Sequence, residues 1–195
     1  MGQLTLKKAM KPSVCCLFIT LIAGYGMNVF VLGSILLGQS AGTLAVQVMN
    51  ELSIVMALVI LPYFIYKKAL NYDIEYKFDK RKLCKNLILE IVIGIALILL
   101  FDKAAVIHFF IIAFAEEMHF RVFQYGYIES KIGTKEAIII SSIIFAFVLH
   151  LNDMFIGNLL IRLPLGIVLG LIRYKFGAEK SIYTHWIYDV IVSMI

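Results

Sequence analysis

The chain has 195 residues, of which 62% are hydrophobic and only 16% are charged, with a net charge of +5. Soluble domains contain about 45–50% apolar and about 25% charged residues. The composition therefore excludes an ordinary soluble protein and predicts an integral membrane protein. Its length suits a single domain over residues 1–195.

The predicted elements are membrane helices separated by short polar segments. Apolar stretches fall near residues 13–37, 44–66, 86–101, 104–125, 135–151, 154–172 and 181–195. A helix that crosses the hydrocarbon core needs about 20 apolar residues, so several stretches require tilt, broken helices or local thinning. The sequence thus predicts an all-α, polytopic helix bundle with about seven transmembrane helices.

Basic residues are concentrated in alternate loops. Of the 18 Lys and Arg residues, 15 lie at the N-terminus or follow the second, fourth and sixth apolar stretches. The positive-inside rule then predicts a cytoplasmic N-terminus and an outer C-terminus in a cell membrane. The densest basic segment, residues 67–85, also carries acidic residues and shows no stacking-aromatic pattern. We interpret it as a topology determinant that contacts anionic lipid, and we expect no nucleic-acid partner.

Two adjacent carboxylates, Glu116 and Glu117, interrupt the apolar run that begins at Ile111, and His119 and Arg121 follow closely. Each ionisable group costs roughly 2.5–3.5 kcal/mol at the centre of a membrane helix on insertion scales. Such groups usually face the interior of a bundle or a water-filled cavity and mark a functional site. The structural alternative is a buried ion-pair network that fixes helix packing.

Helix geometry separates the two glutamates. Glu117 and Arg121 are spaced i, i+4 and can form an ion pair along one face. Glu116 points about 100° away and faces a different neighbour. Carboxylates in unlike surroundings can differ widely in pKa, as acid–base chemistry often requires.

Two later helices contribute further candidates. His150 ends the apolar run before Asn152, and His185 and Asp189 are spaced i, i+4 in the last stretch. A carboxylate one turn from a histidine can orient its ring. The structural alternative is that His150 is interfacial or bound to a carbonyl group, and that His185 and Asp189 only form a local hydrogen bond. For other ionisable residues in or near the stretches we favour structural roles, namely for Glu51, Glu90, His108, His119 and Arg162.

This ordered set of Glu-Glu-x-x-x-Arg, His and His-x-x-x-Asp resembles the CPBP group of intramembrane proteases, which includes CAAX prenyl endopeptidases and bacterial Abi proteins. The resemblance covers about residues 110–188, within the motif-bearing part 104–195, whereas the helices of 1–103 match only generic membrane helices. The group's second motif is usually Phe-x-x-x-His. Here Ala146 precedes His150 by four positions, with Phe145 before it and Phe147 after it.

The resemblance implies an endopeptidase that hydrolyses a peptide bond in a membrane-associated peptide or lipidated protein. Glu116 and His150 would activate a water molecule. His185 and Asp189 would hold the oxyanion, although Asp189 donates only when protonated and otherwise orients His185.

The same resemblance assigns supporting roles and leaves the cofactor open. Glu117 and Arg121 would fix the helix that carries the base. Zinc could be held by Glu116, His150 and His185 with a water in the open position. The alternative is a metal-free water activated by glutamate.

Depth in the membrane is an obstacle to this arrangement. At about 1.5 Å per residue, His185 lies about 7 Å and His150 about 22 Å from the cytoplasmic charge that flanks its helix. The two can meet only if helices are broken, tilted or unequally immersed, and breaks at Gly126 or Gly133 would allow this.

Two other functions compete with proteolysis. One is a non-catalytic membrane binding protein, for example one that confers bacteriocin self-immunity. The other is a proton- or ion-coupled transporter, although the sequence shows neither an inverted repeat nor paired broken helices. A prenylated C-terminus, a peptide pheromone and a bacteriocin leader are all compatible substrates, and the oligomeric state is open.

Overall fold

The structure, a computed structural model, describes residues 2–38, 43–74, 87–151 and 154–193. In these ranges it contains helices joined by turns, without a β-strand. The described helices are α1 (Gly2–Gly38), α2 (43–69), α3 (Leu87–Leu100), α4 (103–132), α5 (134–149), α6 (155–176) and α7 (Ala178–Ser193). The all-α prediction is confirmed, and each helix overlaps one predicted apolar stretch.

The apolar helices account for the membrane character of the protein. Among the described residues, three helical segments are long and apolar enough to cross a membrane: Ala9–Gly33, Ala45–Ala69 and Phe155–Phe176. A shorter apolar helix covers Glu90–Leu100. The count of seven spans and the orientation of the termini stay predictions. Residues 75–86, which include most of the basic loop, lie outside the described residues.

Helix α4 lies at the centre of the packing. Every residue from His119 to Tyr125 is buried, and apolar side chains of this segment pack against α1, α2 and α5. A helix that is buried on all sides belongs to the interior of a bundle. The segment that carries the adjacent glutamates is therefore the core element of the fold.

Helix α4 continues through Gly126. A Cβ atom at Gly126 would lie only 2.6 Å from the Tyr72 hydroxyl oxygen, so the glycine permits close packing. The chain turns instead at Gly133, whose φ of 112° favours glycine.

Four of these helices contain π-helical turns. The turns are Met56–Ile60 and Ile65–Ala69 in α2, Met118–Gln124 in α4, Phe145–Leu149 in α5 and Asn158–Arg162 in α6. A π turn closes i→i+5 hydrogen bonds and often occurs at functional sites. The turns in α4 and α5 each adjoin a residue of the predicted site, and the turn in α6 ends at Arg162.

Helix α7 is fastened to α3 and α4 by polar contacts near its start and middle. Tyr183 donates a hydrogen bond to the Glu90 carbonyl oxygen at 2.6 Å, and Lys180 forms an ion pair with the Glu90 side chain. Trp186 Nε1 donates to the Val106 carbonyl oxygen at 2.9 Å. These contacts fix the face of α7 that carries His185.

Helices α5 and α6 approach closely through glycine. A Cβ atom at Gly166 would lie 3.2 Å from Ser142 Cβ and 3.2 Å from Phe145 Cδ1. One turn later, a Cβ atom at Gly170 would lie 3.1 Å from Ile138 Cγ2. Small residues four apart let membrane helices pack backbone to backbone. This contact sets the position of α6 relative to the C-terminal end of α5.

We expect Gly166→Ala to lower the stability of the folded protein by about 1–3 kcal/mol, because the added methyl group overpacks the α5–α6 contact. The measurement is the thermal unfolding midpoint in detergent. Gly24→Ala is the matched control, since a Cβ atom at Gly24 meets nothing within 4 Å. An equal midpoint for both variants would contradict this account of the packing.

Candidate active site

The adjacent glutamates end the regular α-helical part of α4, directly before its π turn. Glu116 is 8% exposed and Glu117 is 0% exposed. Glu116 lines a cavity, whereas Glu117 lies between α4 and α7 and contacts Arg121, Ser181 and His185. The two carboxylates thus occupy different surroundings, as the helix geometry predicted.

Glu117 joins two helices through one carboxylate. Its Oε2 atom lies 3.4 Å from Arg121 Nε and accepts a hydrogen bond from the Ser181 hydroxyl. Its Oε1 atom lies 3.1 Å from His185 Nδ1. Because a carboxylate only accepts, the hydrogen of this bond lies on Nδ1. Glu117 therefore fixes the orientation of the His185 ring.

Arg121 extends this network to α5. Its Nη1 atom donates to the Ser141 hydroxyl oxygen at 3.0 Å, and its guanidinium lies 5.5 Å from the centre of the Phe145 ring. All atoms of the Arg121 side chain are buried. The Glu117–Arg121 pair consequently fastens α4, α5 and α7 together at the level of the site.

The four residues that the sequence assigned to catalysis line one cavity. Glu116, His150, His185 and Asp189 meet around a space of about 430 Å³ whose remaining walls are largely apolar. His185 Nε2 lies 3.8 Å from Glu116 Oε2 and 3.5 Å from Asp189 Oδ2. An apolar cavity with a few convergent polar groups is the usual form of a small-molecule or peptide site.

The structure also answers the question of depth. Helix α5 ends at Leu149, and His150 follows it with φ −103° and ψ 40°, outside the helical region. The buried side chain of Asn158 in α6 donates a hydrogen bond to the His150 carbonyl oxygen at 2.8 Å. His150 therefore lies in a turn that α6 holds at the cavity, which His185 also lines.

The departure from the Phe-x-x-x-His pattern has a structural counterpart. Phe145 precedes His150 by five positions, and the π turn Phe145–Leu149 occupies the segment between them. Since a π turn closes i→i+5 contacts, it returns residues five apart to one face. The Phe145 ring meets the His150 and His185 rings edge-on at 5.4 Å and 5.8 Å between centroids. The extra residue thus preserves a phenylalanine between the two histidines.

Three residues for which we favoured structural roles lie away from this cavity. His119 Nε2 is 3.1 Å from the Thr20 hydroxyl oxygen of α1, so it does not join Glu116. His108 Nδ1 is 2.5 Å from Glu51 Oε1, between α4 and α2. These pairs connect the N-terminal helices to α4.

Other residues of the site were missed or given a different role. Arg162 lines the cavity and donates to Asn158 Oδ1 at 2.8 Å, whereas the sequence favoured a structural role for it. Asn158 and Ser181 were not singled out. The signal for Ser181 was its spacing, because Ser181, His185 and Asp189 follow one another at intervals of four on one helix face.

The sequence left zinc open, with Glu116, His150 and His185 as its ligands, beside a metal-free water. Among the described residues, no group of three His, Cys, Asp or Glu side chains is placed so that it could hold a metal ion. We derive no step through a metal from this geometry.

The comparison with protein families agrees with the motifs. Residues 100–191 match the family model described as type II CAAX prenyl endopeptidase Rce1-like. This part of the chain is therefore similar to the Rce1-like members of the CPBP family. The match includes Glu116, His150, His185 and Asp189, and it confirms the resemblance drawn from the sequence. The Rce1-like domain is that of a membrane endopeptidase family. No curated protein and no solved structure matches the chain.

We expect Glu117→Gln to destabilise the protein by about 3–5 kcal/mol, because it leaves Arg121 buried without its counter-charge. The adjacent change Glu116→Gln leaves no buried arginine without its counter-charge, so it should lower the stability by at most about 1 kcal/mol. Thermal unfolding in detergent measures both variants. Equal losses would show that the two carboxylates do not have separate roles.

Proposed function

We propose that the protein is an intramembrane endopeptidase that hydrolyses a peptide bond of a membrane-associated peptide or lipidated protein. The observation that carries the proposal is the convergence of Glu116, His150, His185 and Asp189 on one cavity of about 430 Å³. The Rce1-like family match over residues 100–191 supports hydrolysis over transport.

In the proposed first step, Glu116 takes a proton from a water molecule that is also hydrogen-bonded to His150. The resulting hydroxide attacks the scissile carbonyl carbon, and the carbonyl oxygen becomes an oxyanion. Collapse of this intermediate breaks the C–N bond, and the proton held by Glu116 passes to the leaving amine. A positioned general base of this kind contributes typically 10²–10⁴-fold to the rate.

His185 stabilises the oxyanion in this mechanism. Its Nδ1–H donates to Glu117, so Nε2 donates to the oxyanion when the ring carries both protons. Asp189 Oδ2, 3.5 Å from Nε2, holds the ring in its orientation. Glu117 and Arg121 act as positioning residues through their contacts with α7 and α5.

The cavity supports a small segment of extended peptide as the substrate. Its volume of about 430 Å³ accommodates a few groups at the scissile bond and excludes a folded domain. Its apolar walls, among them Phe109, Ile112 and Leu165, suit apolar side chains next to that bond. Prenylated C-termini, peptide pheromones and bacteriocin leaders all satisfy this requirement.

We expect Glu116→Gln to lower hydrolysis of a cleaved peptide in liposomes by at least about 10²-fold, because the amide cannot accept the proton of water. Candidate membrane-associated peptides incubated with the wild type identify the substrate. Glu136→Gln, which makes the same change in the first turn of α5, should keep full activity. An active Glu116→Gln enzyme would contradict the assignment of the base.

The same variant separates proteolysis from the alternative of bacteriocin self-immunity by binding. If the protein confers immunity on cells and a well-expressed Glu116→Gln variant confers it equally, binding without catalysis explains the phenotype. Loss of immunity in this variant, with wild-type expression, supports the catalytic function.

We expect hydrolysis to persist after treatment of the purified protein with a metal chelator, because the proposed mechanism uses Glu116 and His150 to activate water. Activity and metal content are measured together before and after treatment. A stoichiometric metal whose removal abolishes activity, and whose return restores it, would contradict the metal-free mechanism.

A further inference from the structure

Asp189 leaves an electrostatic problem in the proposed active site. Two carboxylates, Glu116 and Asp189, line the cavity in which the reaction creates a third negative charge on the scissile carbonyl. An ionised Asp189 cannot donate a hydrogen bond to that oxygen. Stabilisation of the oxyanion therefore requires a donor in addition to His185.

Arg162 is placed to supply this donor. Of the described residues that line the cavity, it is the one with a Lys or Arg side chain. Its guanidinium shares the cavity with Glu116 and Asp189, so its positive charge acts on both carboxyl groups. A guanidinium stays protonated in proteins and offers five N–H donors. A side chain with this many donors can bind an oxyanion in addition to its other partners.

Asn158 fixes Arg162 relative to His150. Asn158 is 3% exposed, and both ends of its amide are engaged. Its Oδ1 accepts from Arg162 Nη1 at 2.8 Å, and its Nδ2 donates to the His150 carbonyl oxygen at 2.8 Å. One buried side chain thus links the cation to the turn that contains His150.

We propose that Arg162 is a catalytic residue that stabilises the oxyanion of peptide hydrolysis, and that Asn158 is the positioning residue that aligns Arg162 with His150. This inference rests on the proposed peptidase function. It assigns stabilisation of the oxyanion charge to α6, a helix that carries none of the residues predicted for catalysis.

The experiment compares Arg162→Gln with Arg162→Lys on a peptide that the wild type cleaves and Glu116→Gln does not. Arg162→Gln keeps a polar side chain but removes the charge, so kcat should fall roughly 10²-fold with little change in KM. Arg162→Lys keeps the charge and should retain much more of kcat. Thermal unfolding of both variants in detergent checks that they are folded.

A second arm uses Asp189→Asn as the background, because an amide adds a donor at the same position. If both side chains donate to the same oxygen, Arg162→Gln should lower kcat by a smaller factor in this background than in the wild type. Asn158→Ala should lower kcat without a matching rise in KM, and its effect should not add to that of Arg162→Gln.

The main competing role for Arg162 is recognition of a substrate carboxylate. Peptides with a free C-terminus and with a C-terminal amide distinguish the two, because oxyanion stabilisation affects both alike. A defect in KM confined to the free-carboxylate peptide would overturn the proposal, as would full kcat in Arg162→Gln. Failure of the wild type to cleave any peptide would instead count against the peptidase function itself.

Discussion

The buried ion pair between Glu117 and Arg121 is the constraint on which the rest of the site depends. Both side chains are 0% exposed, 3.4 Å apart, inside the central helix of the bundle. Neither charge can be tolerated there alone. Through Ser181 and His185 of α7 and Ser141 of α5, this pair fixes the neighbouring helices relative to α4. Glu116, the proposed base, is the adjacent residue and points from a different helix face.

Local departures from regular α-helix bring the remaining groups to that carboxylate. The π turn of α5 changes its register, so that Phe145 packs between His150 and His185, and the helix then ends at His150. The π turn of α6 begins at Asn158, which binds the His150 carbonyl oxygen, and ends at Arg162, which lines the cavity. Irregular backbone of this kind is tolerated within membranes where it is buried in protein or lines a cavity.

The sequence predicted contacts within a helix better than contacts between helices. Spacing alone indicated the Glu117–Arg121 and His185–Asp189 pairs, because i, i+4 geometry is local. It could not show that Glu117 also holds His185, or that Arg162 lines the same cavity as Glu116, since those positions depend on how four helices pack. The seven helices were located from apolar stretches, whereas the close approach of Gly126 to Tyr72 depends on packing between helices and left no signal in the sequence.

The most direct test of the account is a single-turnover cleavage in H₂¹⁸O, with enzyme in excess over a peptide in liposomes. If Glu116 activates a water that attacks the peptide carbonyl, the new carboxyl terminus carries one ¹⁸O atom after the first turnover. An unlabelled product from that turnover would show that a side-chain oxygen attacks instead. That result would contradict the assignment of Glu116 as a general base.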